Sequence, residues 1–238
     1  MPDRPLVVLL TPVGLDRDCW QWVPLPDADY LRYEFPGHGR RPWSAVLRSL
    51  DALADDVVAG APAGTPLHLV GVSFGGMVAQ HAALRHPDRV ASMLLACTPG
   101  HTPTDVLLAR AEEAAGGDDV DVTMTRWFTP GALATVPEPP GLAYTRERLT
   151  AISGAAMADS WRAMAGHDLR GAELTTDAPV TCVAADSDVS SPPEAVRELA
   201  GLWRRGRFTV VPGTHMFLLE APDRFGAVLQ AHLKEAGR

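Results

Sequence analysis

Six short runs of mostly apolar residues recur along the chain, at 6–10, 30–35, 67–72, 90–97, 180–184 and 207–211, and the stretches between them are long enough for helices. A short apolar run without polar alternation suits a strand covered on both faces, which occurs where helices cross over a parallel sheet. The chain is therefore expected to be α/β, built from βαβ units. The run at 30–35, "YLRYEF", carries Arg32 and Glu34. Charges there suit a sheet edge, where they discourage pairing with another chain. Helices are expected at 50–59, 75–85, 193–202 and 222–233. The last two open on Pro193 and Pro222, at a first-turn position where the missing N–H costs little.

Between residues 98 and 179 the pattern changes. Helical pieces such as "DVLLARAEEAA" and "RERLTAISGAAMADSWRAM" are separated by "GGDD" and the proline-rich "TVPEPPG", and no strand-like run occurs. The expected organisation is a core of residues 1–97 and 180–238, with 98–179 as a helical cap inserted over the C-terminal edge of the sheet.

The strongest chemical signal sits at the end of the third run. "LVGVSFGG" places Ser73 between Gly71 and Gly75, a G-x-S-x-G pattern that follows a buried strand and opens a helix. Such a bend forces the serine backbone into a strained region and brings the flanking residues close together, which glycine tolerates. The hydroxyl then projects above the sheet, and the Phe74 amide points from a helix N-terminus toward developing negative charge.

A serine hydroxyl needs a base. Of the histidines after Ser73, His81 and His86 fall on the next helix, in structural or solvated roles, and His232 falls in the terminal helix as a surface residue. His101 and His167 flank the insertion, within possible reach of a substrate. His215 follows the last apolar run in the loop "PGTH", at a strand's C-terminal end, where ligand-facing residues belong in an open α/β sheet. It is the expected base. The acid should follow "VTCVA", where both Asp186 and Asp188 qualify. Asp188 lies further past the strand and is the preferred partner, with Asp186 suited to tying the turn. A second oxyanion donor should come from "LLTPVGLD": Pro12 has no N–H, so Val13 is the first choice and Gly14 the next.

Composition narrows the partners. The 238 residues are 46% apolar and 21% charged, usual for a globular chain of one moderate domain. A formal net charge of −8, with no basic run longer than Arg204–Arg205, argues against nucleic acid and against anionic membrane surfaces. Cys19, Cys97 and Cys182 are scattered, and Cys97 and Cys182 fall in apolar runs, which points to a reducing compartment with no disulfide or metal site. The apolar run at the N-terminus is five residues long, too short for a signal sequence or a membrane span, and the reading is cytoplasmic. No cofactor is implied, and the chain is compatible with a monomer or a homo-oligomer.

With "GVSFGGMVAQHAALRHPDRVASMLLACT", "FPGHGR", "AADSDVSSPPE" and "PGTHMFLLEAPDRF" in this order, the chain resembles the α/β-hydrolase family over nearly all its length. "TPVGLDRDCW", "TRWFTP", "AMAGHDLR" and "SFGGMVAQ" resemble the 3-oxoadipate enol-lactonases more narrowly. The resemblance implies Ser73 as nucleophile, Asp188 as acid, His215 as base, and Val13 and Phe74 as oxyanion-hole amides. It also implies a small ester, lactone or thioester as substrate. The N-terminal strand pair of the family has no counterpart, which would leave "YLRYEF" at the edge, and Ala185 stands where the family often has glycine. Arg126 and Trp127 in the insertion, with Met157, Trp161 and Met164 at helical spacing, are candidate substrate contacts. The stripe equally suits helix packing, and Arg126 equally suits a surface position or the capture of a substrate carboxylate. A non-hydrolytic cyclase or lyase, or a ligand-binding protein on the same scaffold, is the alternative function.

Overall fold

The apolar runs meet side by side, as chains that lack a polar face must. The computed structural model describes residues 4–44, 46, 48–117 and 119–237. Strands β1 (Leu6–Leu10), β2 (Asp29–Arg32), β3 (Leu67–Val72), β4 (Val90–Ala96), β5 (Val180–Ala185) and β6 (Gly206–Val211) form one sheet in the order β2-β1-β3-β4-β5-β6. Every pairing is parallel. The order places β2 at one edge, as its charges suggested, and among the described residues no strand lies outside it.

The described chain also holds ten α-helices, α1 (Leu50–Ala59), α2 (Phe74–Arg85), α3 (Thr104–Gly116), α4 (Val120–Trp127), α5 (Pro130–Leu133), α6 (Pro140–Ala151), α7 (Gly154–Met164), α8 (Pro193–Leu202), α9 (Phe217–Glu220) and α10 (Pro222–Ala236), and two 3-10 helices, Arg17–Trp22 and Pro87–Arg89. Local chemistry explains several starts. Ser49, Asp119, Thr129 and Ser153 each accept an early helical N–H with their side chains. Pro140, Pro193 and Pro222 occupy first-turn positions.

Two strands end earlier than the sequence reading expects, for identifiable reasons. β2 stops at Arg32, before Glu34, because the Glu34 carbonyl accepts from Arg41 Nη1 at 3.1 Å and the chain then turns through Gly37 and Gly39 at positive φ. β4 stops at Ala96 because Cys97 adopts φ 48°, a left-handed conformation that no strand accommodates.

His232 corrects the expectation of a surface residue. It is buried, with Nδ1 2.8 Å from the Thr181 hydroxyl and Nε2 2.9 Å from that of Ser92, which also lies 2.8 Å from His68 Nδ1. The terminal helix packs on a sheet face where β3, β4 and β5 present these polar groups, so both ring nitrogens find partners.

His38, His167 and His232 are all buried, and burial pushes each down from 6.5 to about 4. They are neutral when folded, whereas in the unfolded chain they bind protons below about pH 6.5. Their contribution to stability is thus fully present above pH 6.5 and is lost as pH falls toward 4. Urea melts between pH 7 and 4.5 should show stability declining over that window, and a more shallow decline in a His232→Asn variant.

Candidate active site

Parallel strands in register end together. Leu10 pairs with Gly71, Gly71 with Leu95, Ala96 with Val183 and Ala185 with Val211. The turns carrying Val13, Ser73, Asp188 and His215 therefore open along one edge.

Ser73 joins β3 to α2 with φ 52° and ψ −117°, a strained conformation for a residue with a side chain. Close backbone approaches hold it there. A Cβ on Gly71 would lie 2.4 Å from the Gly75 carbonyl oxygen, and one on Gly75 would lie 2.4 Å from that of Leu10. Ser73 occupies the N-cap of α2, yet its hydroxyl caps no helical amide. Instead Ser73 Oγ stands 2.9 Å from His215 Nε2.

The other ring nitrogen, His215 Nδ1, is 2.8 Å from Asp188 Oδ2. A carboxylate only accepts, so Nδ1 carries the proton and Nε2 is left to accept from Ser73. Asp188 Oδ1 accepts the Ser190 and Ser191 amides at 2.8 and 2.9 Å. Burial pushes the Asp188 carboxyl up, but His215 and those amides outweigh it and hold the group below its ordinary value. Asp186 faces elsewhere: it accepts the Gly213 amide at 3.1 Å and the Ser187 hydroxyl at 2.9 Å, tying the turn that leads to His215.

The loop after β1 is fixed by two residues that the sequence reading did not single out. His38 Nε2 accepts the Gly14 amide at 3.0 Å, while its Nδ1 lies 3.1 Å from the Pro36 carbonyl and donates to it. Its depressed pKa keeps the ring in this neutral form. Gly14 is thereby engaged, and Gly75 donates to the Thr11 carbonyl at 3.1 Å. The Val13 and Phe74 amides have no such acceptor among the described residues. Asp16, almost fully buried, accepts from the Tyr144 hydroxyl at 2.7 Å and from Arg148 at 3.1 Å, which ties this loop to α6.

A cleft of about 190 Å³ opens above Ser73. Val13, His215, Met77, Arg126, Trp127, Trp161 and Met164 line it, as do Arg110 and Val106 of α3 and Val189 beyond β5. Met157 stands apart: it lines a neighbouring cavity with Leu149 and Ile152, and its methyl lies 3.3 Å from where a Gly14 Cβ would be. Arg126 donates through Nη2 to the Thr123 hydroxyl at 2.9 Å. His167 is turned away from the cleft, toward His81 and the Pro99 carbonyl. Arg110 was not singled out because α3 shows it among ordinary surface charges; only the fold of 98–179 brings it to Ser73.

Among the described residues one group has the composition of a metal site, Cys97, Asp188 and His215, with donor atoms within 4.8 Å of one another. It is poorly suited to an ion. Asp188 and His215 are bonded to each other, and burial together with Asp188 pushes the Cys97 thiol well above its ordinary value, so it remains protonated.

A serine on a strained strand-to-helix turn, at the rim of a parallel sheet and joined to a histidine and a buried aspartate, has the architecture of an α/β hydrolase. The chain belongs to the alpha/beta hydrolase family, which it matches over residues 7–228. Over 98% of its length it is 25% identical to 3-oxoadipate enol-lactonase 2 of Acinetobacter baylyi, covering 90% of that protein. It is 47% identical over 66 residues to the pimeloyl-(acyl-carrier protein) methyl ester esterase of Chromobacterium violaceum, a match that covers 27% of this chain and 24% of that one. The crystal structure of the enol-lactonase from Burkholderia xenovorans superposes with a TM-score of 0.89 at 24% identity, covering 98% of this chain and 92% of that one. At that identity the likeness speaks for the fold. No helix among the described residues is long and apolar enough to cross a membrane.

The close approaches around Ser73 leave no room for a methyl group. Gly75→Ala should therefore lower unfolding stability by about 3 kcal/mol or more, or prevent folding, as chemical denaturation would show.

Proposed function

We propose that this hydrolase cleaves a small carboxylic ester or lactone through an acyl-enzyme on Ser73. The observation that carries the reading is the continuous hydrogen-bonded row from Ser73 Oγ through His215 to Asp188, with both contacts within 2.9 Å. In this reading His215 Nε2 takes the Ser73 proton as Oγ attacks the acyl carbon. The ionised Asp188 keeps the ring in the required tautomer and stabilises the imidazolium. The Val13 and Phe74 amides receive the developing oxyanion. His215 then delivers its proton to the leaving alcohol; in a lactone the leaving oxygen stays tethered to the acyl chain. Water, deprotonated by His215, attacks the acyl carbon and frees the acid and Ser73.

Residues 98–179 act as the cap of this site. They leave β4 and return to β5 at one place, where Leu169 donates to the Gly100 carbonyl at 2.8 Å and His101 bridges to Asp168. In between they supply Arg126, Trp127, Trp161 and Met164 to the cleft. Arg126 supports an acyl group bearing a second carboxylate, and Trp127, Trp161 and Met164 would hold its apolar part.

A fluorophosphonate probe should add one phosphonyl group to the intact protein and none to Ser73→Ala. Hydrolysis of esters and lactones by Ser73→Ala should fall about 10⁴-fold or more. An alanine variant that hydrolyses these substrates at the wild-type rate would instead show that Ser73 is not the nucleophile. Asp188→Asn should approach that loss, while Asp186→Asn, which keeps an acceptor for Gly213, should cost far less. Arg126→Met should raise KM for carboxylate-bearing substrates and leave neutral ones little changed.

A further inference from the structure

The loop bearing His215 has no regular ladder of its own. Val211 ends β6 and α9 begins at Phe217, so residues 212–216 must be held from outside. On the strand side, the Ser187 amide donates to the Gly213 carbonyl and the Gly213 amide to Asp186. On the other side the hold comes from the C-terminal end of α4. The Trp127 carbonyl accepts the Met216 amide at 3.1 Å and lies 2.6 Å from the Thr214 hydroxyl. A single carbonyl of the inserted segment thus faces the residues immediately before and after His215, and the one hydroxyl proton of Thr214 is shared between that carbonyl and Glu220.

Glu220 closes the arrangement. Its Oε2 is 2.6 Å from the Thr214 hydroxyl, and its Oε1 accepts both the amide and the hydroxyl of Thr129, at 2.8 and 2.9 Å. The Thr129 hydroxyl also accepts the Ala132 amide as the cap of α5, so the carboxylate is anchored to a helix start. The Trp127 ring lies with its centroid 6.0 Å from that of His215. The backbone stretch that presents Arg126 and Trp127 to the cleft is therefore the same stretch that bonds to the loop bearing His215.

We propose that Thr214 and Glu220 are positioning residues that lock the His215 loop onto Trp127–Thr129, so that the wall of the acyl pocket and the base move as one unit. This rests on the reading of His215 as the base for Ser73. A base displaced by about 1 Å loses on the order of a hundredfold in rate even though no reacting group has changed. Thr214 and Glu220 bond to groups beside His215 and line no part of the cleft, so their loss acts on turnover rather than on binding.

The experiment uses the full chain and its variants Thr214→Val, Glu220→Ala and Thr214→Ser. Two rates are measured: hydrolysis of a short-chain 4-nitrophenyl ester and modification of Ser73 by a fluorophosphonate. Thr214→Val and Glu220→Ala should each lower kcat by about tenfold to a hundredfold with KM little changed, and should slow Ser73 modification by a similar factor. Thr214→Ser, which restores the hydroxyl, should recover both rates. Far-UV circular dichroism and thermal melts confirm that each protein compared is folded, and either of the two disruptive variants suffices. Folded variants that modify Ser73 at the wild-type rate, or that raise KM with kcat intact, would overturn the clamp alone. Absence of modification in the wild-type protein would instead remove the serine-hydrolase reading, and the clamp with it.

Discussion

Every strand of this sheet runs in the same direction, so every strand-to-helix turn on that side opens along one edge. That constraint brings together groups separated by up to 202 positions, from Val13 to His215, without any local contact between them in sequence. Parallel ladders need helical crossovers, and the crossovers bury the strands on both faces. The apolar runs are thus both the reason the sheet forms and the reason its polar chemistry is confined to the rim. Ser73 sits where this constraint is tightest. Its left-handed backbone is tolerated because glycines on either side let β3, α2 and the end of β1 approach within carbonyl contact.

The rim is stiffened by polar groups that do not themselves face the cleft, two of them buried (His38 and Asp16) and one exposed (Asp186). His38 holds the Gly14 amide, Asp186 holds Gly213, and Asp16 binds Tyr144 and Arg148. Each satisfies a donor that would otherwise be unpaired, and each ties one rim loop to a neighbouring segment. Residues 98–179 are attached through the same kind of contact. Gln80 and His167 both meet the Pro99 carbonyl where this stretch begins, and Glu220 meets Thr129 midway along it. Polar junctions of this kind specify orientation more sharply than apolar packing does, because hydrogen bonds weaken steeply as their geometry departs from linear.

Much of this was readable from residue order. The runs at 6–10 and 67–72 match their strands, and the segments 50–59 and 193–202 match their helices, because periodicity reports burial directly. The pattern around Ser73 was recognisable because a sharp turn leaves a glycine signature. His38, Asp16 and Glu220 were not singled out, because Gly14, Tyr144 and Thr129, to which they bond, lie 24, 128 and 91 positions away and no local spacing encodes such a pairing. His232 was misread because its helix shows a polar residue on a mixed face, and only the docking of α10 reveals Ser92 and Thr181 beneath it.

Residue order alone determined the α/β class, the edge position of β2, the strained turn at Ser73 and the loops that bear Asp188 and His215. These follow from short-range properties: apolar spacing, glycine at a bend, proline at a helix start. Tertiary packing chose Asp188 over Asp186 as the partner of His215, engaged Gly14 with His38, sent Met157 to a separate cavity and brought Arg110 beside Arg126. Those outcomes depend on distances between chain segments remote in sequence, which exist only once the sheet has assembled and the helices have settled on it.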